Sequence, residues 1–419
     1  MPDNNILPGK SFWLNTTSRW LVSLSVIWGI VLSVILGSQD SLSGRLYRLA
    51  AVLIITSFSI WLTLRKPRLG AVLALFLSTI ELAVGIAVGV RFLTSSGFGW
   101  QALTGLAGLL AGIGLLVFGL VVLESGTRLA WRLISIPVFI LIIAILTWTF
   151  LPAFLAAYVP HTAGIQQTPP IPGAQPITIK AEDGVDLFAW YVLPTNGAAV
   201  ILRHGSGSSG IDTFNHAAVL VTHGYGVLIT DARGHGSSGG TAMDFGWYGD
   251  ADIDAAVSFL LNQTEVDSQK IAVVGLSMGG EEAVGAIAGN AHIAAVVAEG
   301  VTARTEADKT WYRDIYGFRG SIQVGLEWLE YTFTDLLTDA TKPISLAQAV
   351  TRVQRPVLLI TAGKIEDEQY TAAYLHQQAP DTVTVWNIPE AGHIQGLSVA
   401  PAEWEAAVTG FLEKALGLQ

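Results

Sequence analysis

The first third of the chain is divided into apolar runs long enough to cross a bilayer, and their length is the tightest constraint on what it can fold into. The hydrocarbon core offers no water to unpaired backbone groups. A run of roughly 18 to 20 apolar residues therefore suits a spanning α-helix and little else. Five such runs are read, at 20–36, 49–64, 69–90, 102–123 and 133–158, the last crossing in only part of its length. They are apolar all round, whereas buried helices of a soluble domain would be striped. No small-residue cleavage site follows the first run, so it reads as a span and not as a signal peptide. These runs account for an overall composition that is 51% hydrophobic and only 13% charged, too apolar for an ordinary soluble protein.

Basic residues flanking the runs set an expected orientation. Lys10, Arg19, Arg65, Lys66, Arg68, Arg128 and Arg132 fall on one side, and Arg45, Arg48 and Arg91 on the other. The larger set is expected in the cytoplasm. An odd number of spans then leaves the rest of the chain outside the plasma membrane. Glu81 is the sole carboxylate within the runs. Such an acid is a candidate for transport or proton relay, but it has no partner at depth in the other runs, and a buried bundle acid is the preferred reading. Gly85-x-x-x-Gly89 and Gly108-x-x-x-Gly112 have the spacing that lets helices pack closely in lipid.

The expected organisation is a transmembrane domain over 1–159, a Pro-rich linker over 160–176 and a second domain over 177–419. With no cysteine there is neither a disulfide framework nor a thiolate metal site. A net charge of −10 gives no basic footprint for nucleic acid. The sequence carries no signal for oligomeric state.

Beyond residue 177, short apolar strands alternate with helices, the pattern of a mainly parallel sheet. Eight strands are read at 177–181, 185–192, 198–203, 226–231, 270–275, 294–299, 356–362 and 382–388. Helices are expected at 250–262, 369–377 and 401–416. Directly after the fifth strand stands Gly275-Leu276-Ser277-Met278-Gly279, followed by a helical stretch. That is G-x-S-x-G on a strand–turn–helix, the context that lifts a serine hydroxyl above the sheet as a nucleophile. A second match, Gly236-Ser237-Ser238-Gly239-Gly240, leads into a loop with no helix for its serine to cap.

Four motifs, in this order, resemble the α/β-hydrolase superfamily over about residues 177–416. They are His204-Gly205-Ser206-Gly207, the loop Asp231 to Gly239, the turn at Ser277, and Pro389-Glu390-Ala391-Gly392-His393. The resemblance implies an eight-stranded α/β fold with a cap insertion at about 301–349, rich in Trp311, Tyr312, Tyr316, Phe318, Trp328, Tyr331 and Phe333. It implies Ser277 as nucleophile, His393 as general base, and an oxyanion hole from the backbone N–H groups of Ser206 and Met278. His235 and Ser238 are assigned to scaffold. The acid falls in Lys364-Ile365-Glu366-Asp367-Glu368. Asp367 is the choice there, Glu366 the second, and Glu368 is expected to start the next helix. The implied function is a membrane-anchored serine esterase for small acyl substrates, lipid-like ones included, working without metal or cofactor. A serine peptidase of prolyl-peptidase or aminopeptidase type shares this fold and triad. A non-catalytic receptor or transporter is a further alternative.

Overall fold

The computed structural model describes residues 65–96, 99–124, 127–159, 162–163 and 169–418, with isolated positions before residue 65. The third, fourth and fifth apolar runs form the helices α1 (Pro67–Ser96), α2 (Trp100–Leu123) and α3 (Leu129–Ala157). Each contains a stretch long and apolar enough to cross a membrane: Pro67–Val90, Ala102–Leu123 and Leu129–Ala157. The first two runs lie almost wholly outside the described residues. Small residues set how α1 meets α2. A Cβ on Gly105 would sit 2.2 Å from the backbone nitrogen of Gly89, and one on Gly85 2.7 Å from that of Leu109. The backbones therefore touch where only glycine fits. Glu81 is buried in α1.

The chain divides into two compact units between Leu155 and Ala156. The second unit is built on an eight-stranded sheet, with strands β1 (Gln175–Lys180), β2 (Asp186–Val192), β3 (Ala199–Arg203), β4 (Gly226–Thr230), β5 (Ile271–Leu276), β6 (Ile293–Glu299), β7 (Val357–Ala362) and β8 (Val383–Ile388). Their spatial order is β8-β7-β6-β5-β3-β4-β2-β1. β1 and β2 form an antiparallel hairpin, β2 pairs antiparallel with β4, and all other pairs are parallel. Every residue of β3, β4, β5 and β7 is buried. That burial explains why these strands read as unbroken apolar runs and not as alternating ones.

Helices cover both faces. On one face α5 (Gly249–Leu261), α6 (Met278–Gly289), α8 (Leu346–Thr351) and α9 (Glu366–Gln378) pack Ile253, Val284, Leu346 and Leu375 against the sheet. On the other, α4 (Phe214–Thr222) and α11 (Pro401–Leu416) supply Leu220, Trp404 and Leu412. Between β6 and α8 lies an insertion dominated by α7 (Tyr312–Leu337), which kinks at Gly317 with φ 57° and ψ −125°. A short turn, α10 (Gly396–Val399), precedes α11.

The expected linker is in part built into this unit. Asp244 N–H donates to the Ala156 carbonyl over 3.0 Å, and Val159 bridges Ala242. Thr162 and Ala163 pair in parallel with His235 and Gly236. Ile171 is buried in the core beside α4 and α11. An extended segment carries unpaired backbone groups, and at Val159, Thr162 and Ala163 the partner is the loop that follows β4.

Candidate active site

β5 ends at Leu276 and α6 opens at Met278, so Ser277 alone makes the turn between them. Its φ of 54° and ψ of −121° lie where a side-chain-bearing residue is strained. The flanking glycines permit the turn. A Cβ on Gly275 would stand 2.1 Å from the Gly279 carbonyl oxygen, and one on Gly279 2.6 Å from the carbonyl oxygens of Arg203 and His204. Ser277 N–H donates to the Glu299 carbonyl over 2.7 Å, which ties the turn to the end of β6.

Ser277 Oγ lies 2.9 Å from His393 Nε2, and His393 Nδ1 lies 2.6 Å from Glu368 Oε1. The two residues expected together from the sequence, Ser277 and His393, are brought within hydrogen-bond reach. The acid differs from the expectation. Asp367 and Glu366 are exposed, and Asp367 accepts instead from the Tyr312 hydroxyl over 3.4 Å. Glu368 is fully buried, and its second oxygen accepts the Ala362 N–H over 2.8 Å. The physical reason is helical phase. α9 begins at Glu366, and its buried face is Glu368, Thr371, Ala372 and Leu375, the i, i+3, i+4, i+7 stripe. Glu368 does start a helix, as its position suggested, and that same phase turns its carboxylate inward. The apolar stripe downstream was the signal that could have found it.

Two further buried carboxylates stand around His393, and sequence reading missed both. Glu299 closes β6. Its Oε1 accepts the Gly396 N–H over 2.7 Å and its Oε2 the Trp404 indole N–H over 3.1 Å. One residue thus ties the turn at Ser277 through its backbone and the histidine loop through its side chain. Glu281 Oε1 accepts the Thr302 N–H, the Thr302 hydroxyl and the Ala303 N–H, each over 2.9 Å. Burial pushes the carboxyls of Glu281 and Glu299 above their usual range, against the pull of these bonds. The hydrogen bond to Glu368 raises the His393 pKa above its ordinary value. Desolvation opposes that shift, and the charges of Glu368, Glu281 and Glu299 reinforce it. The site therefore favours an imidazolium.

The His204-Gly205-Ser206 loop passes directly over the serine, since a Cβ on Gly205 would sit 3.2 Å from Ser277 Cβ. Ser206 is exposed on it. The next donor, Gly207 N–H, is bonded to His235 Nε2 over 3.3 Å. Met278 is the first residue of α6, so its N–H has no acceptor within the helix. His204 is buried, accepts the Ala232 N–H through Nε2 over 2.9 Å, and is held neutral by desolvation with its pKa lowered to about 3.

The second G-x-S-x-G has a different fate. Ser238 is buried, donates to the Asp231 carbonyl over 2.7 Å and accepts the Phe188 N–H over 2.8 Å. Asp231 in turn accepts the N–H groups of Gly210 and Ser237 over 2.7 and 2.8 Å. This loop is a brace: it joins the hairpin to the loop above Ser277.

The insertion packs mostly on its own unit. Trp311 and Tyr312 cluster with Tyr370 and Tyr374 of α9, and Tyr331 with Met243 and Trp247. Phe318 and Trp328 face outward. A cavity of about 230 Å³ lies between α7 and the start of α9, lined by Tyr312, Tyr316, Arg319, Gly320, Gln323 and Asp367. Neither Ser277 nor His393 lines it, so it neighbours the site through Asp367 and α9 without being the site.

Residues 194–364 match the family described as serine aminopeptidase, S33. An uncharacterized protein of Mycobacterium tuberculosis is 32% identical over 120 residues, which are 27% of this chain and 41% of that protein. The uncharacterized protein YfhR of Salmonella typhi is 27% identical over 164 residues, 37% of this chain and 55% of the relative. The chain thus spans between two fifths and just over half of the length of these relatives. A solved esterase of Pyrococcus furiosus is 26% identical, with 61% of this chain and 99% of that chain covered at a TM-score of 0.46. The sheet order and the turn at Ser277 give the second unit the α/β-hydrolase fold, and residues 194–364 within it match the serine aminopeptidase family.

Proposed function

We propose that the protein is a membrane-anchored serine hydrolase that cleaves carboxylic ester or related acyl bonds. The observation that carries this reading is the chain of two short contacts, Ser277 Oγ to His393 Nε2 at 2.9 Å and His393 Nδ1 to Glu368 at 2.6 Å. In the proposed reaction His393 takes the Ser277 proton as Oγ attacks the acyl carbon. The N–H groups of Ser206 and Met278 stabilise the oxyanion. The imidazolium then protonates the leaving group. Water, deprotonated by the same histidine, releases the acid and regenerates Ser277. Glu368 orients the ring and stabilises its cationic form.

Anchoring is supported by the three helices of membrane-crossing length and by the two apolar runs before them. The excess of basic residues on one side argues for a hydrolase unit outside the plasma membrane. A bilayer close by favours acyl substrates with lipid-like chains. A second reading, an aminopeptidase, is favoured by the description of the matched family. Labelling of the full chain with a fluorophosphonate probe, followed by turnover of p-nitrophenyl esters of graded chain length against aminoacyl anilides, tests both. No labelling at Ser277 in the folded protein would sink the hydrolase reading. Anilide turnover well above ester turnover would replace the esterase by the peptidase.

A further inference from the structure

Arg203 closes β3 and is fully buried, although the rest of that strand is apolar. Its Nε donates to Glu282 Oε2 on α6 over 2.8 Å, and its Nη2 lies 2.6 Å from the same oxygen. Nη1 donates to Thr230 Oγ1 at the end of β4 over 3.3 Å. The pair ends a ladder of alternating charge. Nη2 lies 3.9 Å from Asp252 of α5, which accepts from Arg233 over 2.6 and 3.1 Å, and Arg233 pairs with Asp183 at the surface. Taking a guanidinium and a carboxylate out of water is costly, and two apolar side chains of similar volume often hold a fold as well. Stability alone therefore does not account for charges at this place.

Their position does. Arg203 immediately precedes the loop that carries Ser206, and Glu282 stands one helical turn beyond Met278. The two N–H groups assigned to the oxyanion thus belong to two elements, the loop after β3 and the first turn of α6. The backbones of these elements touch, since a Cβ on Gly279 would stand 2.6 Å from the Arg203 carbonyl oxygen. Among the described residues, however, no hydrogen bond runs between residues 204–207 and 277–281. The contact of Arg203 with Glu282 is the polar tie between them. Glu282 itself has no room to swing. A Cβ on Gly249 would stand 2.2 Å from its Cγ, and one on Gly246 would stand 2.8 Å from it and 3.0 Å from Met278 Cγ.

We propose that the Arg203–Glu282 pair is the positioning element of the oxyanion hole: it fixes the loop over α6 so that the N–H groups of Ser206 and Met278 meet one oxygen. The proposal rests on the hydrolase reading and on that assignment of the donors. Neither side chain reaches the reacting atoms, so both act through the backbone groups they hold. Donors set before the reaction need no rearrangement as charge develops. A displacement of about 1 Å costs about 100-fold in rate.

Two variants of the full chain test this. Arg203→Met/Glu282→Met removes both charges at once, and Asp252 keeps Arg233. Arg203→Lys keeps the charge and loses the second nitrogen at Glu282 Oε2. Sites are counted by fluorophosphonate labelling carried to completion. Per labelled site, kcat and KM are measured for p-nitrophenyl butyrate, with the Ki of an alkyl trifluoromethyl ketone. That ketone accepts Ser277 Oγ at its carbonyl carbon, the serine proton passes to His393, and the carbonyl electron pair becomes an oxyanion in the hole. In the double variant kcat per site should fall about 100-fold and Ki rise in proportion. KM should stay within about twofold, and the denaturation midpoint close to native. Arg203→Lys should show the same signature at about tenfold. A merely structural pair predicts fewer labelled sites, with kcat per site and Ki unchanged. If both variants hold kcat per site and Ki within about threefold of native, the proposal is overturned and the hydrolase reading stands. If the native chain neither labels nor turns over ester, the hydrolase reading falls, and the positioning with it.

Discussion

Glu368→Gln separates the geometry described above from the one expected on sequence alone. The change preserves shape and removes charge. Gln can keep the 2.8 Å bond from Ala362 N–H only by pointing its oxygen there, which directs its NH₂ at His393 Nδ1, 2.6 Å away in the native contact. Nδ1 must then accept, so the ring proton moves to Nε2, the nitrogen facing Ser277 Oγ at 2.9 Å. The base is occupied before the reaction starts. An amide in place of the orienting carboxylate lowers kcat about 10⁴-fold in Ser-His-Asp hydrolases, equivalent to about 5.4 kcal/mol of barrier. Asp367→Asn should change kcat/KM by no more than about threefold, since an exposed carboxylate at the long end of hydrogen-bond reach is worth well under 1 kcal/mol. The assay is kcat/KM for p-nitrophenyl butyrate on the full chain, with the rate of fluorophosphonate labelling beside it. A large loss in Asp367→Asn together with a loss below tenfold in Glu368→Gln would refute the reasoning.

Three other outcomes follow from the site. Ser277→Ala should abolish turnover and labelling, whereas Ser238→Ala should keep the chemistry and lower stability by about 1 kcal/mol, because it strands the part-buried Phe188 N–H; chemical denaturation measures the second. Because Glu368 raises the His393 pKa and catalysis needs the neutral ring, kcat/KM should climb with pH through a midpoint above the ordinary histidine value of 6.5. The contribution of the same pair to folding has the opposite sign: a raised folded-state pKa gives stability that is fully present below the unfolded value and lost as pH rises through the folded one. Gly300→Ala should cut kcat with little change in KM, because at φ 77° its Cβ would press to 2.9 Å from His393 Cε1. A KM rise at constant kcat would contradict that.

The sequence was legible where burial and geometry leave one solution. Strands such as Ile271–Leu276 are buried on both faces and read as unbroken apolar runs. The turn at Ser277 reads from its two glycines, which the approach of Gly279, Arg203 and His204 requires. His393 reads from its place after the last strand. Glu368 was harder, because three successive carboxylates differ only in helical phase, and phase depends on a helix start that composition does not mark to within one residue. Glu299 and Glu281 were invisible for another reason. Their partners Gly396, Trp404 and Thr302 are brought to them by the sheet order, which no local pattern encodes. The aromatic insertion was half readable: Tyr331 and Trp311 pack on their own unit, while Phe318 faces out, and residue type alone does not tell the two apart.

The pairing of Thr162 and Ala163 with His235 and Gly236 bears on how far the two halves of this protein are interchangeable. The Pro-rich stretch looks like the natural seam at which to cut the sheet-bearing unit from the helical one. A fragment beginning at Gln175 would lose the strand that borders His235, whose ring holds the Gly207 N–H beside the loop over Ser277. The seam is thus part of the fabric. Any exchange of the first unit would have to leave the residues from Ala156 to Ala163 with the second.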